Sequence, residues 1–173
     1  MAAAASEMTS VQSESTQTGS KAAQFLTFIL GQEEYGVDIL RVQEIRGWHQ
    51  VTRVPNAPDY LLGVLNLRGT IVPIIDMRMR FHLDKVEYNP VTVIIVLSVK
   101  TGNGSRVFGV VVDGVSDVLD VMPGDIKPTP DLGGAVNTDF ISGLATLSER
   151  MVMLLDIDKL LSTAEFSEIE TVH

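Results

Sequence analysis

The two halves of this 173-residue chain match each other, and that repeat limits what it can fold into more than any other feature. Tyr35-Gly36-Val37 meets Phe108-Gly109-Val110 at a shift of 73 residues. The same shift sets Val42 on Val115, Glu44 on Asp117, Ile45 on Val118 and Pro55 on Pro128. Further on the shift becomes 80, where Leu62-Gly63-Val64 meets Ser142-Gly143-Leu144 and Ile74-Ile75-Asp76 meets Leu154-Leu155-Asp156. Leu67 and Val72 fall on Leu147 and Val152 in the same frame. The extra residues belong to the loop after the prolines, which holds Gly133, Gly134 and Asn137. Apolar strands resemble one another by chance. Glycines, prolines and helix-capping aspartates in the same order do not, so the chain reads as a duplicated unit.

Each unit is a series of short apolar runs broken by turn residues, the pattern of β-strands. Gln24 to Leu30 and Tyr35 to Ile39 flank a hairpin turn at Gly31–Glu34, and Val42 to Ile45 continues the β pattern. Leu61 to Leu67 and Thr70 to Ile75 flank Arg68-Gly69, a second hairpin signal, and Pro73 in that run implies an edge position or a bulge. The second half repeats this with Val91 to Val99, Arg106 to Val112, Val115 to Met122, Ile141 to Leu147 and Met151 to Leu155. Asp76 and Asp156 cap short helices, the second with Ile157, Leu160 and Leu161 on one face. Two units of about five strands result, a size at which small barrels close and lose their edges. Neither is large enough to be very stable alone, so they should pack together, with a groove for partners expected between them.

Composition excludes several classes of function. With no cysteine, disulfides, thiolate metal sites and thiol catalysis are out. A formal net charge of -9 repels phosphate backbones and argues against nucleic acid or a polybasic membrane patch. No apolar run is long enough to span a bilayer. Residues 1–21 are rich in Ala, Ser, Thr and Gln without a basic n-region, which reads as a disordered leader rather than a secretory signal; residues 165–173 read as an acidic tail. His49, His82 and His173 lack metal-ligand spacing, and no nucleophile elbow, phosphate loop or strand–turn–helix dinucleotide motif occurs. Asp113, Asp117 and Asp120 lack calcium-loop spacing and read as a solvated strand edge. No catalytic constellation, cofactor or metal site is expected, which shifts weight towards binding.

Three long motifs carry a family resemblance: Glu33 to Ile45 (EEYGVDILRVQEI), Gly63 to Asp76 (GVLNLRGTIVPIID) and Gly109 to Val118 (GVVVDGVSDV). Together they resemble the signature of chemotaxis coupling proteins, the CheW family, over about Gln24 to Leu161. The resemblance implies an all-β fold with a few short helices: two five-stranded SH3-like barrels packed together. In that frame residues 22–164 form the CheW-like domain, the first barrel about 24–80 and the second about 90–155, with room for strand exchange between them. It implies a non-catalytic cytoplasmic adaptor that joins chemoreceptor tips to the regulatory domain of the histidine kinase CheA. Such an adaptor is a monomer when isolated and part of ring-like arrays in complex, without membrane insertion.

By the same resemblance Ile39, Val42, Glu44, Ile45, Gly63, Asn66 and Arg68 face the receptor, and Gly109, Val115, Val118, Asp131 and Leu132 face the kinase. Leu132 replaces an aromatic more usual in the family. An apolar face there would receive an amphipathic helix tip, with Glu44 and Arg68 as an orienting ion pair. Core packing plus an exposed ion pair of little weight accounts for the same residues. Other readings stay open. A kinase piece would need ATP-binding motifs, a fused phosphoacceptor would need a receiver pocket, and an enzyme would use Asp113 or Asp117. Related adaptors also serve surface motility.

Overall fold

The structure, a computed structural model, describes residues 22–81, 83, 87–101, 104–129, 140–147 and 149–161. The expected leader 1–21, the acidic tail 165–173, His82, His173, Asp131 and Leu132 lie outside the described residues. The first half supplies β1 (Ala23–Leu30), β2 (Glu33–Asp38), β3 (Val42–Gly47), β4 (Leu61–Leu67), β5 (Thr70–Asp76) and the one-turn helix α1 (Met77–Arg80). The second supplies β6 (Val93–Thr101), β7 (Gly104–Val112), β8 (Gly114–Val121), β9 (Ile126–Lys127), β10 (Ile141–Leu147), β11 (Arg150–Leu155) and α2 (Ile157–Leu161). Asp76 caps α1 by accepting from the Arg78 amide, and Asp156 accepts from the Lys159 amide at 3.1 Å to cap α2.

The strands form two sheets, ordered β8-β1-β2-β11-β10-β9 and β3-β6-β7-β5-β4. Each sheet therefore takes strands from both halves of the chain. The hairpin β1–β2 joins the last strands, and the hairpin β6–β7 joins the first ones. Five strands of the first sheet match the five of the second in order, and β9 has only the isolated Thr52–Val64 bridge as its counterpart. Leu61 pairs with Ile75 as Ile141 pairs with Leu155, and bulges fall at Leu61/Gly63 and Ile141/Gly143. The hairpins join their hosts through parallel pairs, Gly36 with Leu154 and Gly109 with Ile74. Those repeated glycines have a steric cause. A Cβ would lie 3.1 Å from Leu154 Cδ2 at Gly36 and 2.6 Å from Ile74 Cδ1 at Gly109.

Among the described residues three apolar clusters hold the fold. One lies within the second sheet, around Val72, Ile74, Ile94 and Val96, and one within the first, around Val121, Ala145, Val152 and Leu154. The largest draws Leu26, Phe28 and Val37 of one sheet against Ile75, Ile95, Leu97 and Phe108 of the other. Leu160 and Leu161 of α2 join it. Burial on both faces explains the unbroken run Ile94–Leu97, which lacks the alternation of a half-exposed strand. This core packs the two units together, as the sequence leads one to expect.

Two expectations need correction. Of the two alternatives for Pro73, the edge fails because β5 is internal, while a bulge does lie beside it: the β4–β5 register shifts between Leu61 and Gly63, next to the Val64–Pro73 pair, and parallel pairing with β7 begins at Ile74. Asp113 is not a solvated edge charge. It accepts from Arg78 Nη1 at 2.8 Å and from the Gly31 amide at 2.7 Å. Arg78 is fully buried, and its Nε and Nη2 each reach an Asp76 oxygen at 3.0 Å. Its Nη1 also donates to the Glu87 carbonyl at 2.6 Å. The Tyr88 hydroxyl donates to Asp76 at 2.8 Å, and its ring stacks on Trp48 with centroids 4.2 Å apart. Burial alone would lower the pKa of Arg78, but the hydrogen bonds it donates to Asp76 and Asp113 outweigh it and hold the pKa above its ordinary value. Burial and the bond to Asp76 push the Tyr88 hydroxyl up to about 12.

The 80-residue shift sets Arg78 on Asp158, and that residue makes the reciprocal bridge. Asp158 accepts from Arg41 Nη1 at 2.7 Å and Nη2 at 2.5 Å, and from the Lys100 amide at 2.8 Å. Arg41 stands where the chain passes from β2 to β3, and Asp113 where it passes from β7 to β8. Each crossing between sheets is fastened to the helix of the opposite repeat, with the signs of the charges exchanged.

Candidate protein-binding site

Leu67 to Thr70 makes a two-residue hairpin turn with φ of 52° at Arg68 and 87° at Gly69. Positive φ at both positions is the primed geometry that matches strand twist. Gly69 adopts it freely; arginine does so at a cost of about 1–2 kcal/mol. Asn66 steadies the turn by accepting from the Gly69 amide at 2.8 Å. The result is an arginine 76% exposed at the tip, its Nη1 donating to Glu44 Oε1 at 2.8 Å. Arg46 Nη1 reaches the other Glu44 oxygen at 3.3 Å. The hydrogen bond from Arg68 holds the Glu44 carboxyl below its usual range, with Arg46 adding to it.

Glu44 lies on β3, one end of the sheet order, and Arg68 lies on the β4–β5 turn near the other. A flat sheet would hold them roughly 14–19 Å apart, at about 4.8 Å per strand. Their contact requires the sheet to curl until its ends meet. The first sheet curls likewise: Arg150 at the start of β11 donates to Asp117 on β8 at 3.0 Å, and also binds Glu34. Asp117 further accepts from the Thr27 hydroxyl at 2.7 Å. Its carboxyl is held below the ordinary range by Arg150 first and Thr27 second.

Of the expected receptor-facing residues, Glu44 and Arg68 meet directly and Asn66 supports their turn. Ile45 on β3 is 45% exposed. Ile39 and Val42 are half-buried against the central core. Gly63 is buried at the β4 bulge with φ of 154°, where a Cβ would lie 2.0 Å from the Thr52 carbonyl oxygen. It serves the site by letting the 51–58 loop bridge β4 through Thr52 and Val64. Of the expected kinase-facing residues, Val118 is 47% exposed on β8, an end strand of its sheet, and Val115 is half-buried nearby on the same strand. Gly109 is buried on β7 between β5 and β6, with the Ile74 and Ile94 side chains against it. Leu40, 85% exposed in the turn between β2 and β3, was not singled out by sequence reasoning. Nor was Arg150, although the 80-residue shift sets it on Thr70, beside Arg68.

An open hollow of about 750 Å³ lies beneath the proline loop, lined by Arg53, Pro55, Pro58, Met79 and Tyr88. Among the described residues no group of three or more His, Cys, Asp or Glu is placed to hold a metal ion. None of the described helices is long and apolar enough to cross a membrane.

Residues 24–165 match the CheW-like domain. The chain belongs to the CheW family. It is 52% identical over 149 residues to the chemotaxis protein CheW of Klebsiella aerogenes, covering 86% of this chain and 87% of that one. It is 41% identical to the CheW of Rhizobium meliloti, covering 82% and 89%. The crystal structure of the scaffolding protein TtCheW from Thermoanaerobacter tengcongensis superposes with a TM-score of 0.74 at 28% identity, over 83% of this chain and 95% of that one. The two-sheet, strand-dominated architecture is that of the CheW neighbour. The chain is accordingly a chemotaxis adaptor, a non-catalytic scaffold.

Proposed function

We propose that this CheW-family scaffold couples the cytoplasmic tips of chemoreceptors to the regulatory domain of the histidine kinase CheA. It would do so in the cytoplasm, within receptor arrays at the inner face of the membrane. The observation that carries the receptor side is the Arg68 turn. A solvent-facing arginine is kept in a costly backbone conformation, braced by Glu44 and Asn66, where packing alone would favour asparagine or glycine. Guanidinium donors not used by Glu44 remain free for polar groups on a receptor helix, and the exposed Ile45 on β3 supplies apolar contact. The kinase side is assigned to β8 through Val115 and Val118, and to Asp131 and Leu132 in the loop after the prolines. An end strand with an exposed valine is a surface on which another β domain can pack.

The test is a pair of binding measurements on the intact chain, one with a receptor signalling fragment and one with the kinase regulatory domain. Arg68→Glu should weaken receptor binding at least tenfold and leave kinase binding and the melting temperature near those of the parent. Val118→Asp should do the reverse. An Arg68→Glu chain with unchanged receptor affinity overturns the receptor assignment.

A further inference from the structure

The duplication places a second copy of the Glu44–Arg68 region on the other sheet, and the two copies differ in one respect. Beside Glu44 lies a hollow of about 190 Å³ walled by Leu67, Thr70, Val72, Val96 and Val107, with Gln43 and Arg68 also lining it. The repeat relates these residues to the first sheet. At the 80-residue shift Leu67, Thr70 and Val72 become Leu147, Arg150 and Val152, and at 73 Glu44 and Val107 become Asp117 and Glu34. Pairing of Leu26 with Val118 and of Ile95 with Ile45 relates β1 to β6 at a shift of 69, so Val96 becomes Thr27.

In the first sheet Arg150, standing in the place of Thr70, binds Glu34 and Asp117. Thr27 binds Asp117 beside it. There a guanidinium and its polar partners stand at the positions that line the hollow in the second sheet. In the second sheet every one of those positions is apolar or short: Thr70 for Arg150, Val107 for Glu34, Val96 for Thr27. Only the carboxylate persists, and it is already taken by Arg68 and Arg46.

From this pairing of a plugged copy with an open one, we infer that the hollow beside Glu44 is a socket for a single apolar side chain of the receptor helix. This rests on the receptor reading above and adds the element recognised. A volume of about 190 Å³ suits one aromatic ring or branched aliphatic group, since a cavity of about 150 Å³ admits benzene. A basic side chain, the occupant in the other sheet, is disfavoured. Two guanidiniums already face the one carboxylate, and the rest of the lining offers only the neutral Gln43 and Thr70 beside Leu67 and three valines, so no second charge compensates a buried cation. The turn that carries Arg68 forms the rim, so the strained hairpin and the socket act as one surface.

The experiment transplants the plug. The double variant Thr70→Arg with Val107→Glu reproduces the arrangement of the first sheet, and Thr70→Met fills the same space without burying charge. Both chains should melt near the parent. Both should lose receptor-fragment affinity by at least tenfold while keeping kinase-domain binding. Receptor affinity within twofold of the parent in Thr70→Met overturns the socket. If Arg68→Glu weakens receptor binding and Thr70→Met does not, only the socket fails; if neither does, the receptor reading fails with it. Should the double variant not fold, Thr70→Met decides alone.

Discussion

Replacing Arg78 by alanine tests the physical account most severely within a single chain. The guanidinium is fully buried and makes two 3.0 Å bonds to Asp76, one of 2.8 Å to Asp113 and one of 2.6 Å to the Glu87 carbonyl. In Arg78→Ala the Asp76 carboxylate stays fully buried and keeps only the residue 78 amide and the Tyr88 hydroxyl as partners. Asp113, whose side chain is 32% exposed, can rehydrate. Breaking a buried pair from one side costs about 3–5 kcal/mol. Against a urea slope of about 2 kcal/mol per molar, the midpoint should fall by roughly 2 M. Asp113→Asn weakens one charge-assisted bond at the edge of the cluster and should cost about 1–2 kcal/mol. Urea titrations followed by circular dichroism compare the two. An Arg78→Ala chain within 1 kcal/mol of the parent, or no less stable than Asp113→Asn, would refute the burial and pairing of this cluster.

Two further outcomes follow from local geometry. Gly63→Ala forces a Cβ onto the Thr52 carbonyl and should cost about 2–4 kcal/mol through the strained φ and the loss of the Thr52–Val64 bridge. Gly69→Ala, with nothing within 4 Å, should cost only about 1–2 kcal/mol, and thermal unfolding of both reads the difference. Asp158→Asn probes the β2–β3 crossing by pH. The hydrogen bond from Arg41 holds the Asp158 carboxyl below its ordinary range in the folded chain. The unfolded chain therefore binds the extra proton first as pH falls below about 4. The carboxylate's contribution is present above that point and lost as pH drops through the folded value. The stability gap between parent and Asp158→Asn should be widest at neutral pH and close towards pH 2; a gap that does not narrow contradicts the bridge.

Much of the local structure was legible because its signals are local. Turn chemistry at Arg68-Gly69, the caps at Asp76 and Asp156, and the repeated glycines each act within a few residues or at a fixed shift. The partnership of Glu44 and Arg68 followed from the resemblance, and the structure brings the two together at 2.8 Å. What the sequence did not display depends on contacts between distant strands. Nothing in the period of β1 or β6 states which sheet will receive the hairpin, since either repeat offers the same edge. Nothing in Met-Arg-Met-Arg marks Arg78 for burial, which is visible only once Asp113 is brought beside it. Asp113 was misread for the same reason, its partner being 35 residues away. Gly63 leaves no room for a Cβ because the Thr52 backbone approaches it, and Gly109 because the Ile74 and Ile94 side chains do, which a motif cannot distinguish from contact with a partner.

The adaptor account is tested most directly by kinase activity in the assembled system. Receptor-bearing membranes, purified CheA and this chain would be combined, and kinase autophosphorylation followed with and without the chain. The account predicts that receptor control of the kinase appears only when the chain is present and is lost with Arg68→Glu. Kinase activity indifferent to the chain, in membranes whose receptors are shown to be intact, would contradict it.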